Sequence, residues 1–213
     1  MLFHPESWKT ILSFILNQPF DATEAHLEMA PYRKIGFDSS QNPINSAVGI
    51  HLFFNHEPTL ILIERPLTMR KHAGQIAFPG GKKDEGDQDL IETALRESYE
   101  EIGVNPEKIN SIGNLSVVYI PVSNYLVHSF VFTHDEKPDL HLNPDEVSQI
   151  LEVKLSELLN PESKSVSDIE LQNGIKIKNA PCFSIQNKII WGATSLLLNE
   201  LKHRIIRFHQ LIA

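Results

Sequence analysis

Four charged side chains within six residues set the chemistry open to this chain: Arg96, Glu97, Glu100 and Glu101. On a helix, where successive side chains turn by about 100°, Glu97 and Glu101 stack one turn apart. Glu100 lies beside them, and Arg96 meets Glu100 at i, i+4. Three carboxylates on one face repel each other, and they stand in the C-terminal half, where the helix dipole disfavours negative charge. A divalent cation removes both conflicts. Mg²⁺ or Mn²⁺ takes carboxylate oxygens and keeps positions for water and phosphate oxygens. The pattern therefore points to metal-assisted phosphate chemistry, with a solvated acidic helix face as the plain alternative.

The neighbouring elements must hold this group. Gly103 ends the helix, and Ile91, Leu95, Ser98 and Ile102 form a stripe suited to a core. Upstream, Phe78-Pro79-Gly80-Gly81 is a turn in which backbone approaches backbone or ligand with no Cβ in the way. Phe78 reads as core, and the amides of Gly80 and Gly81 either face phosphate or shape the loop before the helix. Asp84, Glu85, Asp87 and Asp89 follow, at least two of them simply solvated. Arg65, Arg70, Lys71 and His72 put four cationic or potentially cationic groups within eight residues, just before Gly74 and Gln75. Such a loop suits phosphate oxygens; pairing with nearby acids is the alternative, and His72 and Gln75 have equally good structural uses.

Composition narrows the partners. At 213 residues, 41% hydrophobic and 22% charged, the chain has the make-up of an ordinary globular domain, with or without extensions. A net charge of −8 argues against nucleic-acid or membrane-surface binding, which needs a basic field. Local arginines and bound cations still let one cleft take phosphate. Apolar runs fall far short of the ~18 residues of a transmembrane helix, and no signal core follows the start. The single cysteine, Cys182, makes no internal disulfide and reads as a packed side chain. Cytoplasmic residence is the expectation.

In chain order, 5–17 predicts a helix with Trp8, Ile11, Leu12, Ile15 and Leu16 on one stripe. Residues 19–43 read as a connecting segment, in which Tyr32-Arg33-Lys34 stays unassigned. Strands are predicted over 47–54 and 59–65 as a hairpin, then over 109–118 and 125–133. A loop over 134–143 leads to a turn, a strand from about 147 and a short helix within 152–159. Short strands alternate with loops over 160–181, and 185–191 reads as the last strand. The final helix carries Ala193, Leu197, Leu201, Ile205 and Phe208 on one side. Leu196, Leu198 and Ile206 widen its apolar surface; core packing is the preferred use and a homodimer contact the second. Strands alternating with helices suit an α/β sandwich with a mixed sheet.

The segment Gly81 to Val104 resembles the Nudix box, G-x5-E-x7-R-E-U-x-E-E-x-G-U, where U is a bulky aliphatic residue. Arg96-Glu97-Ser98-Tyr99-Glu100-Glu101-Ile102-Gly103-Val104 matches its second half, with Ser98 replacing an aliphatic residue. In the first half Asp87 stands for the glutamate, and eight residues instead of seven separate it from Arg96. Ile61 to Gly81 resembles the signature of the coenzyme A pyrophosphatase branch, L-L-T-x-R-[S/A]-x3-R-x3-G-x3-F-P-G-G. Arg65, Arg70, Gly74 and Phe78 to Gly81 are in register, while Ile63 and Pro66 depart. Trp191-Gly192-Ala193-Thr194 before a helix is similar to that branch as well.

The resemblance implies a single Nudix-type α/β/α domain over 1–213, with a core at about 44–160, an N-terminal extension over 1–43 and a C-terminal one over 161–213. It implies Mg²⁺- or Mn²⁺-dependent hydrolysis of coenzyme A or acyl-CoA to 4′-phosphopantetheine, or its acyl form, and adenosine 3′,5′-bisphosphate. Glu97, Glu100 and Glu101 would hold metal, Arg96 would orient Glu100, and Glu146 would be the further carboxylate from a later loop, as base or outer metal ligand. One of these glutamates or Glu146 would accept the proton of the attacking water. Arg65, Arg70, His72, Gly74, Gln75, Gly80 and Gly81 would line the substrate. Another nucleoside diphosphate derivative, such as ADP-ribose or a dinucleotide, is the alternative substrate. A non-catalytic binding domain on the same fold is the alternative class.

Overall fold

The computed structural model describes residues 3–31, 42–69, 72–171 and 174–212; Arg70, Lys71 and Tyr32-Arg33-Lys34 lie outside the described residues. Two aliphatic runs form the central hairpin, β1 (Ile44–Asn55) and β2 (Glu57–Glu64), with Leu52 opposite Leu60 and His56 turning the chain at φ 62°. Both strands outrun their apolar stretches because ladder pairing carries polar end residues along. Beyond Leu52 the two strands part. Ile63 pairs with Ala77 of β3 (Ile76–Ala77), and Val48 pairs with Gly80 of β4 (Gly80–Lys82), so residues 76–82 wedge between them.

On its other edge β1 runs parallel to β7 (Tyr125–Thr133), which pairs antiparallel with β5 (Asn110–Asn114) and β6 (Val118–Ile120). β8 (Gln149–Lys154) lies along the outer edge of β2 and completes an eight-stranded mixed sheet. Alternation along the strands gives the sheet two apolar faces. Ile50, Leu52, Leu60, Leu62, Val127 and Val131 enter the larger core with α1 (Trp8–Leu16), α2 (Thr23–Met29) and α5 (Ala193–Ile212). Ala47, Phe53, Ile61, Ile63 and Phe132 face the opposite way, against Ala94, Ile102 and Val104 in and after α3 (Leu90–Ile102). The result is an α/β/α sandwich with a mixed sheet.

Several expectations are corrected by packing. The connecting segment 19–43 contains α2, whose Ala25 and Met29 are buried against the rest of the protein. The strand predicted over 109–118 is two short ones, and Tyr119 and Ile120 belong to β6. Residues 152–154 remain in β8, so the short helix α4 (Leu155–Leu159) starts later. The expected last strand is a hairpin: β10 (Lys176–Ile185) turns through Gln186 and Asn187, at φ 51° and 60°, into β11 (Lys188–Ile190). Two consecutive positive-φ residues match the twist of a tight hairpin. With β9 (Lys164–Glu170) these strands form a separate three-stranded sheet, and Phe183, Ile185 and Ile190 join the larger core.

On α3, Ile91 is 38% exposed; the buried face is Thr93, Ala94, Ser98, Glu101 and Ile102. On α5, Leu196 and Leu198 are buried within the protein and unavailable to a partner, leaving Ile206 at the surface. The helix is covered by α1 and α2 as well as by the sheet, so more than one stripe is enclosed. Among the described residues no helix is long and apolar enough to cross a membrane.

Candidate active site

Local rules fix α3 at both ends. Asp89 caps the helix by accepting from the Glu92 amide at 2.8 Å, and Glu92 accepts from the Gln88 amide, one residue before the cap, at 2.6 Å. Gly103, at φ 71°, closes the helix in the left-handed conformation glycine adopts without strain. The loop 141–146 then folds back over this end. His141 N donates to Ile102 O (3.0 Å) and Asn143 N to Glu101 O (2.9 Å), satisfying carbonyls that a helix end leaves open. This return carries Glu146 to the acidic face, close enough that its charge acts on both Glu97 and Glu101.

Arg96 is the clamp. Its Nε and Nη2 fork onto both oxygens of Asp87 (2.9 and 3.0 Å), and Nη1 donates to Glu97 (2.9 Å) and Glu100 (3.0 Å). Asp87 also accepts from the Asp84 amide (2.9 Å) and the Thr93 hydroxyl (2.8 Å). The Arg96 guanidinium, helped by those donors, holds the Asp87 carboxyl far below the usual range. Protein donors thus occupy both of its oxygens, which makes Asp87 a tie between loop and helix. The spacing places Arg96 beside Glu100; the bidentate bond to Asp87 was not visible in it.

Glu97 and Glu101 stand one turn apart against the β3–β4 turn. Gly80 N donates to Glu101 Oε2 at 2.9 Å. A Cβ at Gly81 would lie 2.3 Å from Glu97 Oε1, and one at Gly80 only 2.3 Å from Ala47 O. Close approach to the strand backbone therefore requires Gly80, while a Cβ at Gly81 would push the Glu97 carboxylate aside. Burial pushes the Glu101 carboxyl up to about 8; the Gly80 amide and Arg65 oppose the rise, while Glu97 and Glu146 add to it. Burial also raises Glu97, against the pull of Arg96 and with the push of Glu100 and Glu146. Glu100 sits further out, half-exposed on Arg96.

The basic loop closes on itself. Arg65 N donates to Gln75 O (3.0 Å), Gly74 N to Arg65 O (3.0 Å) and Gln75 N to His72 O (3.1 Å). His72 Nδ1 meets Gln75 Oε1 at 2.9 Å on the exposed side, while Gly74, at φ 68°, packs beside Leu67. Among the described residues of this loop Arg65 reaches the carboxylates, its Nη1 lying 3.3 Å from Glu101 Oε1. The structure thus gathers Glu97, Glu101, Glu146, Arg65, Arg96, Gly80 and Gly81, and leaves His72 and Gln75 on each other.

Sequence reasoning missed what supports Ser98. Its hydroxyl donates to Ala94 O (2.6 Å) and meets His51 Nε2 (2.8 Å), and His51 Nδ1 meets His134 Nε2 (3.1 Å). Gly49 leaves room for this contact, since a Cβ there would lie 2.6 Å from His51 Nε2. Burial, with His134 adding to it, holds His51 down to about 3, so its ring is neutral. A polar residue at an aliphatic box position was the only hint of this buried partner.

The donor set fits a hard divalent cation. Glu97 and Glu101 are oxygen donors whose charged forms burial and neighbouring acids disfavour, a conflict that Mg²⁺ or Mn²⁺ relieves. Among the described residues no three acidic, histidine or cysteine side chains form a ready cage. Arg65 and Arg96 hold the oxygens instead, so a cation here would have to replace guanidinium contacts.

Comparison with known proteins identifies the family of the chain. The NUDIX domain family matches residues 43–171. A protein of Photorhabdus laumondii described as an uncharacterized Nudix hydrolase NudL is 35% identical over 166 residues, 78% of this chain and 87% of its own. Its namesake in Pectobacterium atrosepticum is 34% identical over 160 residues, 75% of this chain and 82% of its own. The crystal structure of a Nudix hydrolase from Nitrosomonas europaea shares the fold, with a TM-score of 0.51 at 15% identity over 84% of this chain and 78% of that one. A family match over more than half the chain, with relatives at this identity, establishes that the chain belongs to the NUDIX domain family and is a Nudix hydrolase.

Proposed function

We propose that this hydrolase cleaves the phosphoanhydride bond of coenzyme A or an acyl-CoA, giving 4′-phosphopantetheine, or its acyl form, and adenosine 3′,5′-bisphosphate. The observation that carries the reading is the continuity of two motifs, Ile61 to Gly81 and Gly81 to Val104, which puts a basic loop beside buried carboxylates. Glu97 and Glu101 would hold the divalent cation, with Glu100 as a third donor. The bound ion supplies charge neutralisation at the diphosphate and polarises its oxygens. Glu146, on the return loop, accepts the proton of the attacking water as a P–O bond to water forms and the bridging P–O bond breaks. Arg65 and Arg70 bind phosphate oxygens through their forked donors. Gly80 keeps Glu101 aimed while Arg96 and Asp87 keep the loop on the helix.

Incubation of the protein with coenzyme A, ADP-ribose and a dinucleoside polyphosphate, each with Mn²⁺ and with products identified by mass, tests this directly. Preferential formation of the two named products supports it. Preferential cleavage of ADP-ribose or the dinucleotide replaces the substrate, and no cleavage with Mn²⁺ or Mg²⁺ removes the catalytic reading.

A further inference from the structure

The two arginines at the acidic face are held very differently. Arg96 makes five hydrogen bonds of 2.9–3.2 Å, to Asp87, Glu97, Glu100 and Lys82 O. Arg65 makes one side-chain contact among the described residues, a 3.3 Å approach of Nη1 to Glu101 Oε1, and its buried Nε has no hydrogen-bond partner. The Arg65 backbone is fixed at the end of β2 by bonds to Gln75 and Gly74, so only the side chain has freedom. Its target is almost fully enclosed, with Glu101 at 1% exposure against 21% for Arg65. The other Glu101 oxygen is already taken by Gly80 N. A cation at Glu101 Oε1 therefore competes with the Arg65 guanidinium for that oxygen.

We propose that Arg65 is an exchangeable occupant of the metal seat: it holds Glu101 Oε1 before metal binds, gives that oxygen up to a cation, and then turns its guanidinium fork to the substrate diphosphate. This rests on the reading of Glu97 and Glu101 as the metal seat. A guanidinium held by one long bond gives it up at small cost, and its planar donors match two phosphate oxygens better than one buried carboxylate oxygen. Because the same side chain serves both sites, cation and diphosphate bind with positive coupling. Arg65 is thus a positioning residue for metal entry as well as a substrate contact.

The test is Mn²⁺ binding to the full chain without substrate, followed by the electron paramagnetic resonance of free Mn²⁺. Wild type is compared with Arg65→Gln, Arg65→Met and Glu101→Gln, each checked for folding by circular dichroism. Glu101→Gln should lose the site. The neutral variants at Arg65 should bind Mn²⁺ on the order of 10-fold tighter, the scale of one unit charge removed from a partly screened position. Their KM for coenzyme A should rise. Equal or weaker Mn²⁺ binding by folded Arg65 variants overturns the exchange, since a merely structural arginine would weaken the site when removed. Mn²⁺ binding that ignores Glu101→Gln sinks the metal seat itself, and the exchange with it.

Discussion

Asp87 and Glu101 are carboxylates at the same helix, yet their surroundings push them in opposite directions. Asp87 has the Arg96 fork and is held ionised; Glu101 is buried with weak donors and rises to about 8. For Glu101 the unfolded chain ionises near 4.5, so the metal-free fold loses stability as pH rises from there through about 8. Metal-free Glu101→Gln should therefore melt no lower than wild type at pH 8, with the difference gone by about pH 5. Differential scanning calorimetry in chelator reads this. Glu146→Gln, which removes the proton acceptor, should lower kcat on coenzyme A by about 10²–10⁴-fold. Asp87→Asn breaks the fork and should cost about 1–3 kcal/mol in urea denaturation, the lower range applying because Arg96 is partly exposed. At this scale the spacing disclosed the acids and their shared face. It left the environment of each acid open, because the same residue type titrates up or down according to its donors.

At the scale of the element, α3 is positioned from behind by the buried Ser98–His51–His134 line. His51 is held neutral, and its folded pKa of about 3 lies below the ordinary 6.5. Stability from this contact is thus complete above about pH 6.5 and falls as pH drops toward 3. Thermal melts of wild type and His51→Phe across that range should show the steeper acid loss in wild type. His51→Ala should cost about 2–4 kcal/mol at neutral pH, from the cavity and the hydroxyl left with one partner fewer. Its effect on activity should run through α3, lowering kcat with little change in KM. The helix itself and its stop at Gly103 were legible, since period and a terminal glycine are local. Its buried face was not: Ile91 is turned outward and Ser98 inward, because the partner strand supplies a histidine.

For the whole molecule, the N- and C-terminal segments are joined through Glu200. This fully buried carboxylate accepts from Ser116 N (3.1 Å), the Ser116 hydroxyl (3.0 Å) and Arg204 Nε (2.9 Å), and it meets His26 Nε2 at 3.1 Å. Arg204 in turn donates to the carbonyls of Leu16 and Gln18. One ion pair so links α1, α2, α5 and the turn after β5. Glu200→Ala leaves a buried guanidinium uncompensated and should cost about 3–5 kcal/mol in chemical denaturation. A loss below about 1 kcal/mol would show that the helical layer is held by apolar packing alone.

By itself the sequence determined the acidic helix and its stop at Gly103, the strand over 125–133 and the hairpin before the basic loop. Each of these is written in the spacing of neighbours: a 3.6-residue period, a run of aliphatic residues, a glycine where φ must be positive. Tertiary structure decided which donor reaches which acid. His51 meets Ser98 across 47 positions, Arg65 meets Glu101 across 36, and Ser116 meets Glu200 across 84. Contacts of that span depend on how the sheet brings its strands and loops together, and no local period encodes that.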